Sequence, residues 1–160
     1  MRFLQLIALM ALVAVVLAGC GTDEQSLDPP DINYGVDMSE MGMPVADPRF
    51  TVATLPTGSD DWLLFDDIGE FLRYHQTKSS DFQVIWVPDF ETEEWIRAED
   101  AFFVQSEEFC FSPMKWCVAA FSSEDKAQQA VDEYTGTMWS WDTVFDKTWD
   151  QAPVPEAHGH

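Results

Sequence analysis

The apolar positions of this chain switch from a strand spacing to a helix spacing and back, twice in the same order. Thr51-Val-Ala-Thr-Leu55 and Trp62-Leu-Leu-Phe65 are short β-branched and aromatic runs separated by the turn residues Pro56-Thr-Gly-Ser-Asp60; they predict two strands. Asp66 or Asp67 then caps a helix whose stripe is Ile68, Phe71, Leu72 and His75, spaced 0, 3, 4 and 7. Phe82-Gln-Val-Ile-Trp-Val87 reads as a buried strand. The second stretch repeats the order: Ala101-Phe-Phe-Val-Gln105 and Cys117-Val-Ala-Ala-Phe121 as strands, then a helix opened by Ser122 with Ala127, Ala130, Val131 and Tyr134 on one face. Phe65-Asp-Asp-Ile68 and Phe121-Ser-Ser-Glu124 occupy equivalent strand-to-helix corners. The pattern predicts an α+β domain built from two ββαβ-type units.

The two ends do not follow this pattern. Met1-Arg2 precedes an apolar run, Phe3 to Leu17, interrupted only by Gln5, and Leu17-Ala-Gly-Cys20 follows at once. The run is short for a spanning helix, and small residues lead up to the cysteine, as in a bacterial lipoprotein signal. Residues 1–19 are therefore expected to be a signal peptide, and the Cys20 thiol to receive the lipid. Residues 20–36, polar and without period, read as the lipidated cysteine and a flexible tether; 37–148 as the domain; 149–160 as a disordered tail.

Composition narrows the partners. The formal charge is −21 at pH 7, and loss of Arg2 with the signal makes it one unit more negative. No basic stripe exists to neutralise phosphates, so nucleic acid is not an expected partner. Docking to anionic lipid through charge is equally disfavoured, which leaves the acyl anchor to hold the membrane. The expected location is a membrane surface facing the periplasm or the cell exterior. Gly21 lacks the acidic character that retains such proteins in the inner membrane, which leaves the outer membrane open. Seven tryptophans and twelve phenylalanines supply core material for one domain.

No enzymatic constellation stands out: there is no Gly-rich phosphate loop, one histidine lies in the folded part, and the carboxylates are too numerous for any pair to be informative. Sulfur is the unusual feature. Met38-Ser-Glu-Met41-Gly42-Met43 places three thioethers within six residues, and Ser112-Pro-Met114 adds another ahead of a strand. Thioethers are soft, neutral donors that favour Cu(I) over zinc or hard cations. Methionine also fills irregular core gaps, and that reading applies to any single Met. Cys110 and Cys117 bracket Met114; at this level they are a candidate disulfide, copper ligands beside Met114, or two buried thiols. His75, on an apolar helix face, reads as a hydrogen-bonded core residue, and His158 and His160 as solvated tail residues.

These features resemble the NosL family, copper lipoproteins accessory to nitrous oxide reductase. Four segments carry the likeness: Met41-Gly-Met-Pro-Val-Ala-Asp-Pro-Arg-Phe50, Leu64-Phe-Asp-Asp-Ile-Gly69, Trp95-Ile-Arg-Ala98 followed by Ala101, and Ser112-Pro-Met114 followed by Ala119-Ala-Phe121. They occur in family order across residues 38–135. The resemblance implies two ββαβ units and a non-enzymatic, membrane-anchored Cu(I) metallochaperone. It would deliver copper to nitrous oxide reductase with an ABC-type maturation complex. It further implies ligands at Met41, Met43 and Met114, with Met38 as an alternate. The chain departs from the family where cysteines are usual, carrying Met38, Met41 and Glu70, and Lys115 replaces a usual glycine. The rival reading is a lipoprotein without metal, an interaction module that docks a membrane complex through its aromatic residues.

Overall fold

A computed structural model of the chain describes residues 26–153. The expected signal segment, Cys20, His158 and His160 lie outside the described residues. The first unit runs β1 (Val52–Pro56), β2 (Leu63–Phe65), α1 (Ile68–Lys78), β3 (Phe82–Pro88) and β4 (Trp95–Arg97). The second runs β5 (Phe102–Gln105), β6 (Val118–Phe121), α2 (Glu124–Tyr134), β7 (Thr137–Ser140) and a final short helix, α3 (Trp141–Val144). Each unit forms its own antiparallel sheet, ordered β2-β1-β3-β4 and β6-β5-β7. In both, the first strand lies between the second strand and the strand that follows the helix. The fold is the α+β repeat expected, with β4 and α3 added to the ends of the two units.

Side-chain alternation in the second sheet explains how the units pack. Phe103, Val118 and Ala120 turn to a core shared with β1, α1 and β3, while Val104, Ala119 and Phe121 turn to α2 and Phe109. Both faces are covered, which is why all of Val118–Phe121 is buried and no polar position interrupts it. The two corners are capped by different chemistry: the Asp67 carboxylate accepts from Gly69 N, and the Ser123 hydroxyl from Lys126 N. Ser123, not Ser122, is thus the cap. The Ser122 amide instead donates to Asp89 Oδ2 at 2.9 Å. Asp89 is buried, which would raise its pKa, but hydrogen bonds from Ser122, Thr92 and Glu91 bring it down to about 2.

Contacts reach across both expected edges of the domain. Trp149 is fully buried; its indole N–H donates to Val144 O at 2.8 Å and its amide to Gln76 Oε1 at 2.8 Å. The folded unit therefore extends past residue 148, because a tryptophan that packs on Trp116 and Trp139 has more apolar area to hide than a tail can leave in water. At the other edge, the indole N–H of Trp86 donates to Leu27 O at 2.9 Å, and Gly35 N donates to Val45 O at 2.8 Å. The described part of the expected tether lies along the domain. No helix among the described residues is long and apolar enough to cross a membrane.

α1 packs closest at Gly69, where an added Cβ would sit 2.2 Å from Trp116 Cβ. Glycine to alanine inside a helix ordinarily stabilises by about 1 kcal/mol. Here the contact atom is itself anchored to backbone and cannot swing away, so the sign reverses. Gly69→Ala is expected to lower the urea midpoint, with a loss of about 2 kcal/mol; a midpoint equal to or above wild type would contradict this packing.

Candidate metal site

The first methionine segment is a tight loop laid against the edge of the first sheet. Met38 and Pro44 form an antiparallel bridge, Ser39 N donates to Met43 O at 2.7 Å, and Gly42 N to Ser39 O at 2.8 Å. Gly42 has φ +76°, a left-handed conformation that glycine adopts without strain and that reverses the chain between Met41 and Met43. Glu40 N donates to Leu64 O at 2.7 Å, which fastens the loop to β2. Ser39 is buried in the turn, and the methionines around it stay in solvent contact: Met38 is 53%, Met41 56% and Met43 39% exposed. Large apolar side chains held this open on an ordered loop are not filling core gaps.

Two consecutive carboxylates at the start of α1 then tie down both methionine-bearing segments. Asp66 Oδ1 accepts from Ala46 N at 2.7 Å, which fixes the far end of the first loop. Asp67 Oδ2 accepts from Ser112 Oγ at 2.6 Å, Met114 N at 3.2 Å and Trp116 N at 3.4 Å, while its Oδ1 caps α1 through Gly69 N at 2.9 Å. Such charge-assisted bonds to backbone amides are among the stronger ones available to a fold. Burial pushes the Asp67 carboxyl up and the four donors pull it back; Asp66 is likewise raised by burial against the Ala46 amide.

The Met114 loop is closed at its base by a disulfide between Cys110 and Cys117, with Cα atoms 4.1 Å apart. This decides among the open readings for the pair and removes both sulfurs from the ligand set. Met114 itself is partly buried against Trp116 and the shared core. Lys115, at the family's glycine position, has φ +58°. Lysine holds this left-handed conformation at a cost of about 1 kcal/mol.

Glu70, one turn into α1, is 5% exposed, and neither of its carboxylate oxygens has a hydrogen-bond partner among the described residues. It lines a cavity of about 300 Å³ with Met41, Glu40, Phe65, Arg73 and Tyr74. Desolvation, then the neighbouring charges of Asp67 and Asp66, push its pKa from 4.5 to about 7, against the pull of Arg73. No group of three or more His, Cys, Asp or Glu side chains among the described residues is arranged to hold a metal. His75 packs its ring between Phe71 and Trp141 and makes a hydrogen bond with the Ser80 backbone. Among the described residues its Nδ1 has no partner, and burial lowers its pKa.

Asp66, Asp67 and Glu70 are not among the ligands expected from the sequence. The first two were visible there only as helix caps, and Glu70 only as a departure from a usual cysteine. Their reach across 20 to 49 residues of chain has no local signal.

The raised Glu70 pKa gives a testable sign. The folded state holds the Glu70 proton at pH values where the unfolded chain has lost it, so stability falls as pH rises from about 4.5 through about 7. Glu70→Gln mimics the protonated form. Its urea midpoint is expected to match wild type at pH 5 and to exceed it at pH 8, by about 2 kcal/mol once water in the adjoining cavity is allowed for. A difference that does not change between these pH values would contradict the assignment.

The family model for NosL matches residues 37–149. No curated protein matches the chain. Among solved structures, the crystal structure of the copper chaperone NosL from Shewanella denitrificans superposes with a TM-score of 0.61 at 16% identity, covering 72% of this chain and 93% of that one. At that identity the likeness speaks to the fold, the α+β arrangement described above. The family match agrees with the expectation that the chain is not an enzyme. With most of the chain matched by that model, this protein belongs to the NosL family.

Proposed function

We propose that this protein is a copper chaperone that carries Cu(I) on the thioethers of Met41, Met43 and Met114, with Met38 as an alternate donor. It would act from a lipid anchor at Cys20, on a membrane face open to the periplasm or cell exterior, and deliver copper toward nitrous oxide reductase with an ABC-type membrane complex. The observation that carries the reading is the tethering of both methionine-bearing segments to adjacent carboxylates, Asp66 and Asp67, at one end of one helix. The copper chaperone title of the structural neighbour supports it from outside the chain.

The chemistry suits a cargo rather than a resident metal. Thioethers need not lose a proton to bind, are soft enough to prefer Cu(I), and do not pair as disulfides in an oxidising compartment. Because they bring no charge, they hold Cu⁺ less firmly than thiolates. The exposed donors on the first loop leave room for an incoming sulfur or imidazole to bind before a methionine departs, so transfer proceeds by ligand exchange. The strongly negative surface favours approach of Cu⁺ or of a basic acceptor face, within the ~10 Å that salt allows at 0.1 M.

The test uses the mature lipidated chain in detergent, loaded with Cu(I) under ascorbate, which leaves Cys110–Cys117 oxidised, and challenged with a chromophoric Cu(I) chelator. Met41→Ala/Met43→Ala/Met114→Ala is expected to lose affinity about a hundredfold or more. Equal retention by wild type and the triple variant would end the proposal and leave a docking module without metal.

A further inference from the structure

Glu70 is the one carboxylate at the start of α1 whose charge is not used by the fold. Asp66 is engaged by the Ala46 amide and Asp67 by three amides and a hydroxyl. Among the described residues Glu70 has no hydrogen-bond donor on either oxygen, although it is only 5% exposed. A buried carboxylate left this way costs several kcal/mol unless it is protonated or meets a cation. The cations on the same cavity wall, Arg73 and Lys78, are exposed and form no salt bridge with it. Met41 lines that cavity beside it.

We infer that Glu70 is the anionic ligand of the cargo, neutralising a soft monovalent cation that the thioethers hold. The inference rests on the copper proposal and names the group that balances the ion's charge. Three neutral sulfurs leave Cu⁺ with its full charge in a partly desolvated place. The N-terminal end of α1 adds roughly half a positive charge of its own. Glu70 brings one negative charge toward Cu⁺ from inside the cavity, and Glu40 stands on the same wall; Ag(I) is the analogue of Cu⁺ in charge and softness. An oxygen donor binds Cu(I) mainly through charge, so it adds affinity without the directional hold of a thiolate and releases readily during ligand exchange.

The experiment compares Cu(I) retention in the full lipidated chain for wild type, Glu70→Gln, Glu70→Leu and Glu133→Gln, the last an exposed carboxylate on α2. Copper X-ray absorption is recorded on each loaded sample. Glu70→Gln and Glu70→Leu are expected to lose affinity by about tenfold, the size of one screened charge contact, and Glu133→Gln less than about twofold. The wild-type spectrum is expected to show one oxygen scatterer beside sulfur, absent from Glu70→Leu. Wild-type retention in the Glu70 variants, with copper still bound, would overturn this inference and leave the thioether site standing. An equal loss in Glu133→Gln would also overturn it, since the effect would then belong to the overall field. Failure of wild type to retain copper would sink both the thioether proposal and this one.

Discussion

Two neighbouring carboxylates hold this structure's separate parts in register. Asp66 and Asp67 lie where β2 gives way to α1, and between them they accept the amides of Ala46, Gly69, Met114 and Trp116 and the hydroxyl of Ser112. Their platform is stiff because the next residues, Ile68, Phe71 and Leu72, are fully buried in the shared core. An anchor of this kind gains from burial. Each amide would be an orphan donor without the carboxylate, and each carboxylate an uncompensated charge without the amides. Loops that would otherwise sample many conformations are thus fixed relative to one helix end.

The pseudo-repeat places different chemistry at its two equivalent corners. At the equivalent corner of the second unit, Ser122 and Ser123 replace the two aspartates, and the polarity runs the other way: Ser122 donates its amide to Asp89, which Lys126 also approaches. That corner is thereby tied to the loop between β3 and β4, whose Asp89 lies 33 residues back in the chain. The first corner, with two acceptors, is open to segments from elsewhere in the chain. Duplicated topology with changed corners thus gives two junctions of opposite polarity, each binding a distant loop.

What could be read from the residues was whatever repeats locally. The 0, 3, 4, 7 stripes of Ile68–His75 and Ala127–Tyr134 and the strand runs before them reproduce the observed elements to within a residue or two. Three-residue β4 has too few positions to show a period, and β7, Thr137-Met-Trp-Ser140, mixes polar and aromatic residues on a strand of intermediate burial. Trp149 was not legible as a buried residue because its neighbours Asp150 and Gln151 are tail-like, and only its packing against Trp116 and Trp139 reveals it. The methionine cluster was conspicuous by composition. Its carboxylate supports were not, since an acid in the first turn of a helix is also what the helix dipole favours. Burial without a partner, invisible in one dimension, is what distinguishes Glu70.

The central claim is that Met41, Met43 and Met114 bind one ion together. It is tested most directly by methionine methyl-carbon NMR on the intact chain during titration with Cu(I). The account predicts that the methyl signals of these three residues shift in step and saturate at one equivalent, while that of Met138 on β7 stays in place. Independent shifts with different saturation points, or a Met114 signal unmoved while Met41 and Met43 respond, would contradict a shared site.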